Sequence, residues 1–191
     1  RISPNEEREL DQIEAELTYV QYLGGEGYPA VQPIPSKAGN MVEAVETGEG
    51  VCYGVLFAGA PGISLGQTAV EKDAVYRWGR HLGWLHRLAM AYRPTGTSRI
   101  DWRAQAAWMG EVLGRFPNED AVRGELDRIT EYLSHLPATE ETYGLVHYDF
   151  ETDNVFTGED GLHIIDFDDA VYHFYMMDIA VCLDEIDDVP E

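Results

Sequence analysis

Three oxygen-bearing side chains stand at a spacing that would suit phosphoryl transfer from a nucleotide. Asp149 and Asn154 lie five residues apart in the segment HYDFETDN (147–154), and Asp166 ends the apolar part of the segment IIDFD (164–168). Phosphoryl transfer needs a carboxylate to accept the proton of the attacking hydroxyl. It also needs an amide oxygen and a second carboxylate to hold magnesium against the phosphates. The sequence offers one candidate group for each of these tasks.

The two segments carry more weight together than either does alone. A chance H-x-D-x-x-x-x-N pattern in a chain of 191 residues is roughly a one-in-a-hundred event. An apolar strand that ends in Asp-Phe shortly afterwards makes coincidence far rarer. The alternative is a surface loop rich in Asp and Asn, residues that turns favour for their own reasons. The paired motifs favour the functional interpretation.

At these residues the chain resembles the aminoglycoside phosphotransferase and choline kinase-like family, relatives of the protein kinases that phosphorylate small molecules. The flanking segments YGLV (143–146), DAVYH (169–173) and DIA (178–180) are similar to that family as well. Tyr148 replaces the Arg of the protein-kinase loop, and Asp168 stands where their Gly follows Asp-Phe. These differences favour a small-molecule kinase over a protein kinase.

The resemblance implies an α+β, protein-kinase-like fold with two lobes. Residues 1–57 would form a partial N-terminal lobe (a helix and a β-hairpin), and residues 58–62 a hinge. Residues 63–191 would form a mostly helical C-terminal lobe with short strands around the catalytic and metal-binding loops. The chain opens on Arg1 without a Gly-rich phosphate loop, and it stops soon after Asp178. We therefore expect a truncated C-terminal lobe and a piece of a longer kinase, inactive alone if phosphate positioning is missing.

Residue patterns predict the elements of the N-terminal part. Ser3 as N-cap and Glu6 three residues later form a capping-box pattern, which predicts a helix that ends at Gly24-Gly25. Apolar residues at 42–45 and 51–57 predict two strands of a hairpin across a Gly-rich turn.

The remainder of the chain alternates between helical periodicity and short apolar runs. Helices are predicted at 68–90, 101–116 and 118–136, the last with Asn118 as its N-cap. Short strands are predicted around 145–146, 154–156 and 163–165. A nucleotide would then lie in the crevice between the lobes.

The motif residues divide into reacting and supporting groups. Asp149 is the candidate general base, or the group that orients the substrate hydroxyl. Asn154 and Asp166 are candidate ligands of Mg2+, which prefers oxygen; as alternatives, Asn154 could cap a turn and Asp166 could pair with a cation. His147 and Asp178 are expected to support the loop, because no second His or Cys stands at metal-ligand spacing from His147.

The resemblance also implies a set of nucleotide contacts. Glu16 matches the family's helix glutamate, whose partner is a strand lysine that grips the phosphates; that basic residue would here be Arg1, or would precede it. A surface glutamate is the alternative. The Ala58 carbonyl and the Ala60 amide would face the adenine, with Phe57 at the back of the pocket. Glycine and proline in the same stretch also suit a plain turn.

Several further residues allow both a functional and a structural interpretation. Asp168 and Glu151 could contact metal or substrate, or could simply solvate a loop. The same holds for Asp169 and Asp153. His86 resembles a recurring family feature, but we expect a histidine on a helix surface.

Composition limits the class of protein. The chain is 45% hydrophobic, has no apolar run of membrane-spanning length and contains two cysteines, Cys52 and Cys182. We expect a globular, cytoplasmic protein with free thiols. The net charge of −22 disfavours nucleic acid and anionic membranes as partners. It would attract a cationic substrate, although a solvated acidic face or adaptation to high salt explains the same charge.

The functional prediction is an ATP- or GTP-dependent, Mg2+-requiring phosphotransferase. Its acceptor would be a hydroxyl of a small molecule, aminoglycoside- or amino-alcohol-like. Two alternatives stay open: a non-catalytic nucleotide-binding protein of the same fold, and a protein Ser/Thr kinase of the same family. The sequence leaves the acceptor, the choice of nucleotide and the oligomeric state undetermined.

Overall fold

The computed structural model describes residues 1–68 and 71–184, and these residues form an α+β structure, as predicted. Its helices are α1 (Leu10–Gly25), α2 (Lys72–Ala91), α3 (Trp102–Leu113), α4 (Asp120–His135) and α5 (Met176–Asp184). Its strands are β1 (Ile2–Pro4), β2 (Pro33–Ile34), β3 (Glu43–Thr47), β4 (Gly50–Gly54), β5 (Leu56–Phe57), β6 (Ile63–Ser64), β7 (Tyr143–Val146), β8 (Val155–Gly158), β9 (Gly161–Ile164) and β10 (Val171–Phe174).

The N-terminal part is built on a small antiparallel sheet in the order β1-β4-β3. Strands β3 and β4 form the predicted hairpin, with Thr47 opposite Gly50 at its tip. The second predicted strand is interrupted at Val55, which is buried against Ile13 and Leu17 of α1. Beyond that point β5 leaves the hairpin and pairs with β2.

The predicted start of the first helix is wrong. Ser3 does not cap a helix, because it lies in β1 and pairs with Tyr53 of β4. Helix α1 begins at Leu10, where Glu9 and Gln12 form the capping box instead. Pairing with β4 gives the backbone around Ser3 its hydrogen-bond partners, and this outweighs the local helix pattern. The helix does end at the predicted pair of glycines.

Other helix ends differ from prediction by a few residues. Helix α2 begins at Lys72, and residues 69–70 of the predicted helix lie outside the described residues. The proposed N-cap Asn118 is wrong: α4 begins after Glu119, whose side chain makes no capping bond. Asp101 caps α3 by accepting hydrogen bonds from the amides of Arg103 and Ala104. Residues 185–191 of the predicted C-terminal lobe also lie outside the described residues.

The main core joins α1, α2 and the strands around the two motifs. Its most deeply buried members come from all of these elements: Tyr19, Val20, Leu23, Trp78, Leu85, Leu145, Phe150, Val155 and Ile164. Both motif segments are therefore anchored in a packed interior, which restricts their motion. Within the described residues, no helix is both long enough and apolar enough to span a bilayer.

Sheet pairing brings the two motif segments side by side. Strands β8 and β9 form an antiparallel hairpin with Val155 opposite Ile164. One motif ends immediately before β8, and the other begins at the end of β9. The Ile165 amide extends the pairing by donating to the Asn154 carbonyl at 3.0 Å. The open end of one hairpin thus carries both candidate metal ligands.

Candidate active site

Asp149 and Asn154 form one hydrogen-bonded unit. The side-chain nitrogen of Asn154 donates to the Asp149 carbonyl at 3.0 Å and to its carboxylate Oδ2 at 2.7 Å. A short 3-10 turn, Thr152–Asn154, sets the amide in place. Both amide hydrogens are directed at Asp149, so Oδ1 is the atom that Asn154 can offer to a cation.

Asp166, in the segment 164–168, lies next to the Asp149–Asn154 unit through the pairing of the two backbones. It follows the residue paired with Asn154 and adopts the left-handed conformation, with φ 65°. A residue with a Cβ rarely adopts this backbone, which turns the chain sharply at the end of β9. The structure therefore joins Asp149 to Asn154 directly and brings Asp166 beside them through the backbone.

Asp178 holds the backbone of the catalytic segment from below. Its side chain is fully buried, and it accepts hydrogen bonds from the amides of His147 at 3.1 Å and Tyr148 at 2.7 Å. The imidazole Nε2 of His86 lies 2.8 Å from the same carboxylate. Three donors around one buried carboxylate leave the segment little freedom.

The His147 side chain supports the second segment. Its Nε2 lies 2.9 Å from the Ile165 carbonyl and therefore carries the proton. Burial lowers the pKa of His147, so the ring stays neutral. The ring also packs against Phe167, with centroids 4.5 Å apart. His147 thereby connects the segment that holds Asp149 to the segment that holds Asp166.

A cavity of about 390 Å3 opens beside Asp166. All four residues predicted to contact the nucleotide line it, together with residues from the N-terminal part and from the β8–β9 hairpin: Arg1, Glu16, Val31, Phe57, Ala58, Ala60, Phe156, Ile165 and Asp166. Its size and its mostly apolar wall are those of a small-molecule site. That these four residues contact a nucleotide remains a prediction, and the structure shows that they line one cavity.

The backbone at Ala58 and Ala60 offers one carbonyl and one amide for hydrogen bonds with a ligand. The Ala58 amide donates to the Gln32 carbonyl at 3.0 Å. Within the described part of the chain, no hydrogen bond uses the Ala58 carbonyl or the Ala60 amide. Because both residues line the cavity, these two groups can meet the edge of a base.

Arg1 is the basic partner of Glu16. Its guanidinium donates to both carboxylate oxygens of Glu16, at 2.9 Å for the Nη1–Oε1 pair. It also lies 3.4 Å from the Asp168 carboxylate. Burial raises the pKa of Glu16, and Arg1 opposes that rise. The ion pair holds the Arg1 guanidinium in the cavity wall, where the resemblance predicts a basic group that contacts phosphates.

The surroundings of Asp166 fit a divalent cation. Burial and the nearby Asp168 carboxylate raise the pKa of Asp166 to about 6. A bound cation would relieve the repulsion that causes part of this rise. Within the described residues no group of three His, Cys, Asp or Glu side chains could hold a metal. Magnesium is usually bound through one or two carboxylates together with phosphate oxygens and water.

Two arginines hold the segment after Asp166, and the sequence analysis did not identify either. Arg99 donates to the carbonyls of Ala170 at 2.6 Å, Gln12 at 3.0 Å and Asp168. Arg8 lies 2.6 Å from the Asp169 carboxylate and 3.2 Å from that of Asp168. Most of these acceptors are backbone carbonyls, which every residue has. No pattern of residue types in the sequence therefore indicates these contacts.

Asp153 and Glu151, the other two acidic candidates, belong to the short turn that precedes β8. Asp153 contacts Ser64, whose hydroxyl lies 3.2 Å from its carboxylate. The backbone carbonyl of Glu151 accepts a hydrogen bond from the backbone N–H of Asn154. The expectation for His86 is wrong: it is buried, because Asp178, 92 residues away, provides its partner. Its spacing in the helix fits the buried face, and this is the signal that could have shown it.

Comparison with known proteins agrees with the resemblance seen in the sequence. The model of the phosphotransferase enzyme family matches residues 1–191. The chain is 27% identical over 181 residues to an amicoumacin kinase of Bacillus subtilis (strain 168), covering 92% of this chain and 53% of that protein. The chain therefore spans about half the length of this curated relative.

Solved structures show the same fold. An amicoumacin kinase in complex with AMP-PNP and Ca2+ superposes with a TM-score of 0.86 at 24% identity, covering 97% of this chain and 56% of the other. A microcompartment-associated aminopropanol kinase gives 0.76 at 22% identity, covering 96% and 61%. The predicted kinase-like fold is confirmed by these matches.

Proposed function

The chain belongs to the phosphotransferase enzyme family, and on this premise we propose that its protein transfers the γ-phosphoryl group of ATP or GTP to a hydroxyl of a small molecule. The observation that carries the proposal is the hydrogen bond between Asp149 and Asn154 at the open end of the β8–β9 hairpin, where Asp166 follows the residue paired with Asn154. Beside them lies a cavity of suitable size for a nucleotide.

Asp149 is the group that would accept or orient the acceptor hydroxyl. Its Oδ2 is held by the Asn154 amide, which leaves the other carboxylate oxygen, Oδ1, to face a substrate. The pinned backbone of the segment keeps this oxygen in place, so little reorganisation is needed when an acceptor arrives. The acceptor proton would pass to Asp149 as the hydroxyl attacks phosphorus.

Asn154 Oδ1 and the Asp166 carboxylate would hold the metal ion. A divalent cation at this place supplies charge neutralisation for the phosphate groups during transfer. The Arg1–Glu16 pair lines the same cavity, and its guanidinium would steady the phosphates from the N-terminal part of the chain. The adenine or guanine would lie against Phe57, with its edge toward the backbone of Ala58 and Ala60.

A cationic acceptor is the favoured substrate class. The net charge of −22 attracts cations at long range and repels nucleic acid. Two relatives are named as kinases of small molecules, one of an aminopropanol and one of amicoumacin, and the first of these names implies an acceptor with an amino group. We propose an amino alcohol or an aminoglycoside-like molecule, and a cytoplasmic location in which ATP and magnesium are available.

The test is phosphate transfer by the full-length protein. Radiolabelled ATP and GTP are offered with magnesium and a panel of 1-amino-2-propanol, ethanolamine, choline, streptomycin and spectinomycin. Label on at least one acceptor, abolished by EDTA, supports the proposal. No labelled acceptor, together with no magnesium-dependent nucleotide binding by calorimetry, contradicts it.

The same experiment separates the two alternatives. A non-catalytic nucleotide-binding protein would bind MgATP without labelling any acceptor. A protein Ser/Thr kinase would label added polypeptides but none of the small molecules.

A further inference from the structure

Arg99 makes its hydrogen bonds to three backbone carbonyls. It is half-buried and stands two residues before Asp101, the N-cap of α3. Its Nε donates to the Ala170 carbonyl at 2.6 Å, its Nη1 to the Gln12 carbonyl at 3.0 Å, and its Nη2 to the Asp168 carbonyl. Among the residues that the structure describes, no carboxylate forms an ion pair with it. The guanidinium therefore connects stretches of main chain.

These carbonyls belong to two elements that carry candidate site residues. Two of them follow Asp166 in the chain by two and four residues, and the third, that of Gln12, lies near the start of α1. In an α-helix a carbonyl accepts a hydrogen bond from the amide four residues later, which for Gln12 is the amide of Glu16. Glu16 and Asp166 line the same cavity. Arg99 thus joins the main chain beneath one of these residues to the main chain beside the other.

The main chain beside Arg99 is fixed to β10, so the guanidinium has an anchored base. The Ile100 carbonyl accepts a hydrogen bond from the Tyr172 amide at 3.0 Å, and Asp101 forms a β-bridge with the same residue. Strand β10 pairs with β7, which leads directly into the segment that holds Asp149. A side chain anchored here restricts the motion of α1 and of the candidate metal segment relative to the catalytic segment.

On the basis of the proposed function, we propose that Arg99 is a positioning residue for metal-assisted nucleotide binding. It holds the Asp166 carboxylate and the Arg1–Glu16 pair at a fixed distance from each other in the wall of the cavity. A metal ion on Asp166 and the guanidinium of Arg1 can then contact one phosphate chain without rearrangement. Groups behind a metal ligand commonly set its orientation, and their loss weakens metal binding.

Calorimetry with AMP-PNP on the full-length protein tests this role, with one titration in EDTA and one in Mg2+. The ratio of the two Kd values measures how strongly the metal tightens nucleotide binding. Arg99→Lys keeps the charge, but one compact ammonium cannot reproduce the fork of donors that binds three carbonyls. We expect the ratio to fall by about tenfold or more, whereas the Kd in EDTA changes less.

Arg123→Lys is the matched control. Arg123 of α4 also donates to three backbone carbonyls, those of Leu113, Phe116 and Pro117, but it does not line the cavity. The substitution should lower the melting temperature and leave the ratio of Kd values unchanged. A merely structural role of Arg99 would give this same result.

Asp166→Asn provides an independent measurement. Because it removes the carboxylate that would bind the metal, the ratio should fall close to one, and Arg99→Lys in the same background should lower it no further. If Arg99→Lys does not fold, Arg8→Ala decides the question, because Arg8 donates to the same Asp168 carbonyl. The ratio should fall in that variant as well.

Two failures can be told apart. If Mg2+ tightens AMP-PNP binding by the wild-type protein and the ratio stays within about twofold in Arg99→Lys, or in Arg8→Ala where it replaces that variant, this inference is wrong and the proposed function stands. An equal fall of the ratio in Arg123→Lys, or a further fall in the Asp166→Asn background, would also overturn it. If Mg2+ does not affect nucleotide binding by the wild-type protein and no acceptor is labelled, both proposals are wrong.

Discussion

At the scale of single residues, the site depends on how one amide is oriented. Asn154 directs its nitrogen at Asp149 and so presents its oxygen to the opposite side. One side chain therefore fixes the candidate base and contributes a candidate metal ligand. A loss of either function should be visible without loss of the fold, because both side chains lie at the edge of the core.

Asp149→Asn is expected to reduce kcat by about 100-fold to 10,000-fold, since the amide cannot accept the acceptor proton. Thermal unfolding should change little, because the new side chain can still accept a hydrogen bond from Asn154. Steady-state kinetics and a melting curve measure the two effects. Glu159→Gln, at an exposed position near the tip of the β8–β9 hairpin, is the control and should retain full activity. Full activity in Asp149→Asn would refute the assigned role.

Asp166 should make stability depend on pH in a specific direction. Its pKa in the folded protein is raised to about 6 by burial and by Asp168, above the ordinary value of 3.8. In the metal-free protein, ionised Asp166 thus disfavours the folded state above pH 6. Between pH 6 and 3.8 the folded state binds the extra proton and is favoured.

Asp166→Asn should therefore melt at a higher temperature than wild type at pH 8 without metal, and the difference should shrink as pH falls through 6 toward 5. Melting curves in EDTA at pH 8, 7, 6 and 5 measure it. The variant should also lose the stabilisation that magnesium gives the nucleotide complex. A difference that stays constant with pH, or grows toward pH 5, would show that the carboxyl is not perturbed in this way.

At the scale of elements, the segment after Ala60 is fitted closely against the β8–β9 hairpin. Gly62 has φ 84°, and a Cβ built there would lie 1.8 Å from the Thr157 carbonyl oxygen. The next residue, Ile63, pairs with Thr157 in β6 and β8. Only glycine allows the chain to pass so close to this strand.

Gly62→Ala is expected to destabilise the protein by about 1–3 kcal/mol, because both the backbone and the contact with β8 are strained. The KM for nucleotide should rise as well, since the same stretch lines the cavity. Gly59→Ala is the matched control: a Cβ there meets nothing within 4 Å. It should change the free energy of unfolding by less than about 0.5 kcal/mol. Equal effects of the two substitutions would show that the close approach does not exist.

Elements differed from prediction where a distant partner decided the outcome. The pattern around Ser3 predicts a helix by itself, but β4 lies beside it and makes it a strand. His86 reads as a surface residue until Asp178 is known to lie against it. By contrast, the hairpin of β3 and β4 is a local structure with its turn in the sequence, and it was predicted correctly.

At the scale of the whole molecule, the acidic surface is expected to lower the stability of the folded state. The chain carries 35 acidic residues and 13 Lys and Arg residues, and like charges repel one another most strongly in the compact state. Added salt shortens the range of this repulsion, from about 10 Å at 0.1 M to about 3 Å at 1 M.

The melting temperature is therefore expected to rise between 0.1 M and 1 M NaCl, and the KM for a cationic acceptor should rise over the same range because attraction is screened as well. A double variant, Glu46→Gln with Glu49→Gln on the exposed hairpin, should melt higher at low salt and respond less to NaCl. Scanning calorimetry and kinetics at several salt concentrations measure both effects. A melting temperature that falls with NaCl would show that repulsion is not significant.

The candidate catalytic and metal-binding residues were easier to predict from the sequence than the arginines that support them. Asp149, Asn154 and Asp166 are residue types that phosphoryl transfer uses, and they stand at the spacing of a kinase-like motif, so a sequence can suggest them. Arg99 and Arg8 bind backbone carbonyls 69 to 160 residues away, and a backbone carbonyl has no residue type to recognise. Only the three-dimensional fold brings these residues together.

The most direct test of the central claim is a crystal structure of the protein with AMP-PNP and Mn2+, the metal located by its anomalous scattering. We predict a metal bound by Asn154 Oδ1 and the Asp166 carboxylate at about 2.0–2.3 Å, a range that suits oxygen ligands of such cations. The base should lie against Ala58 and Ala60, with the γ-phosphate directed toward Asp149. A metal bound elsewhere, or a nucleotide outside the cavity lined by Glu16 and Phe57, would contradict it.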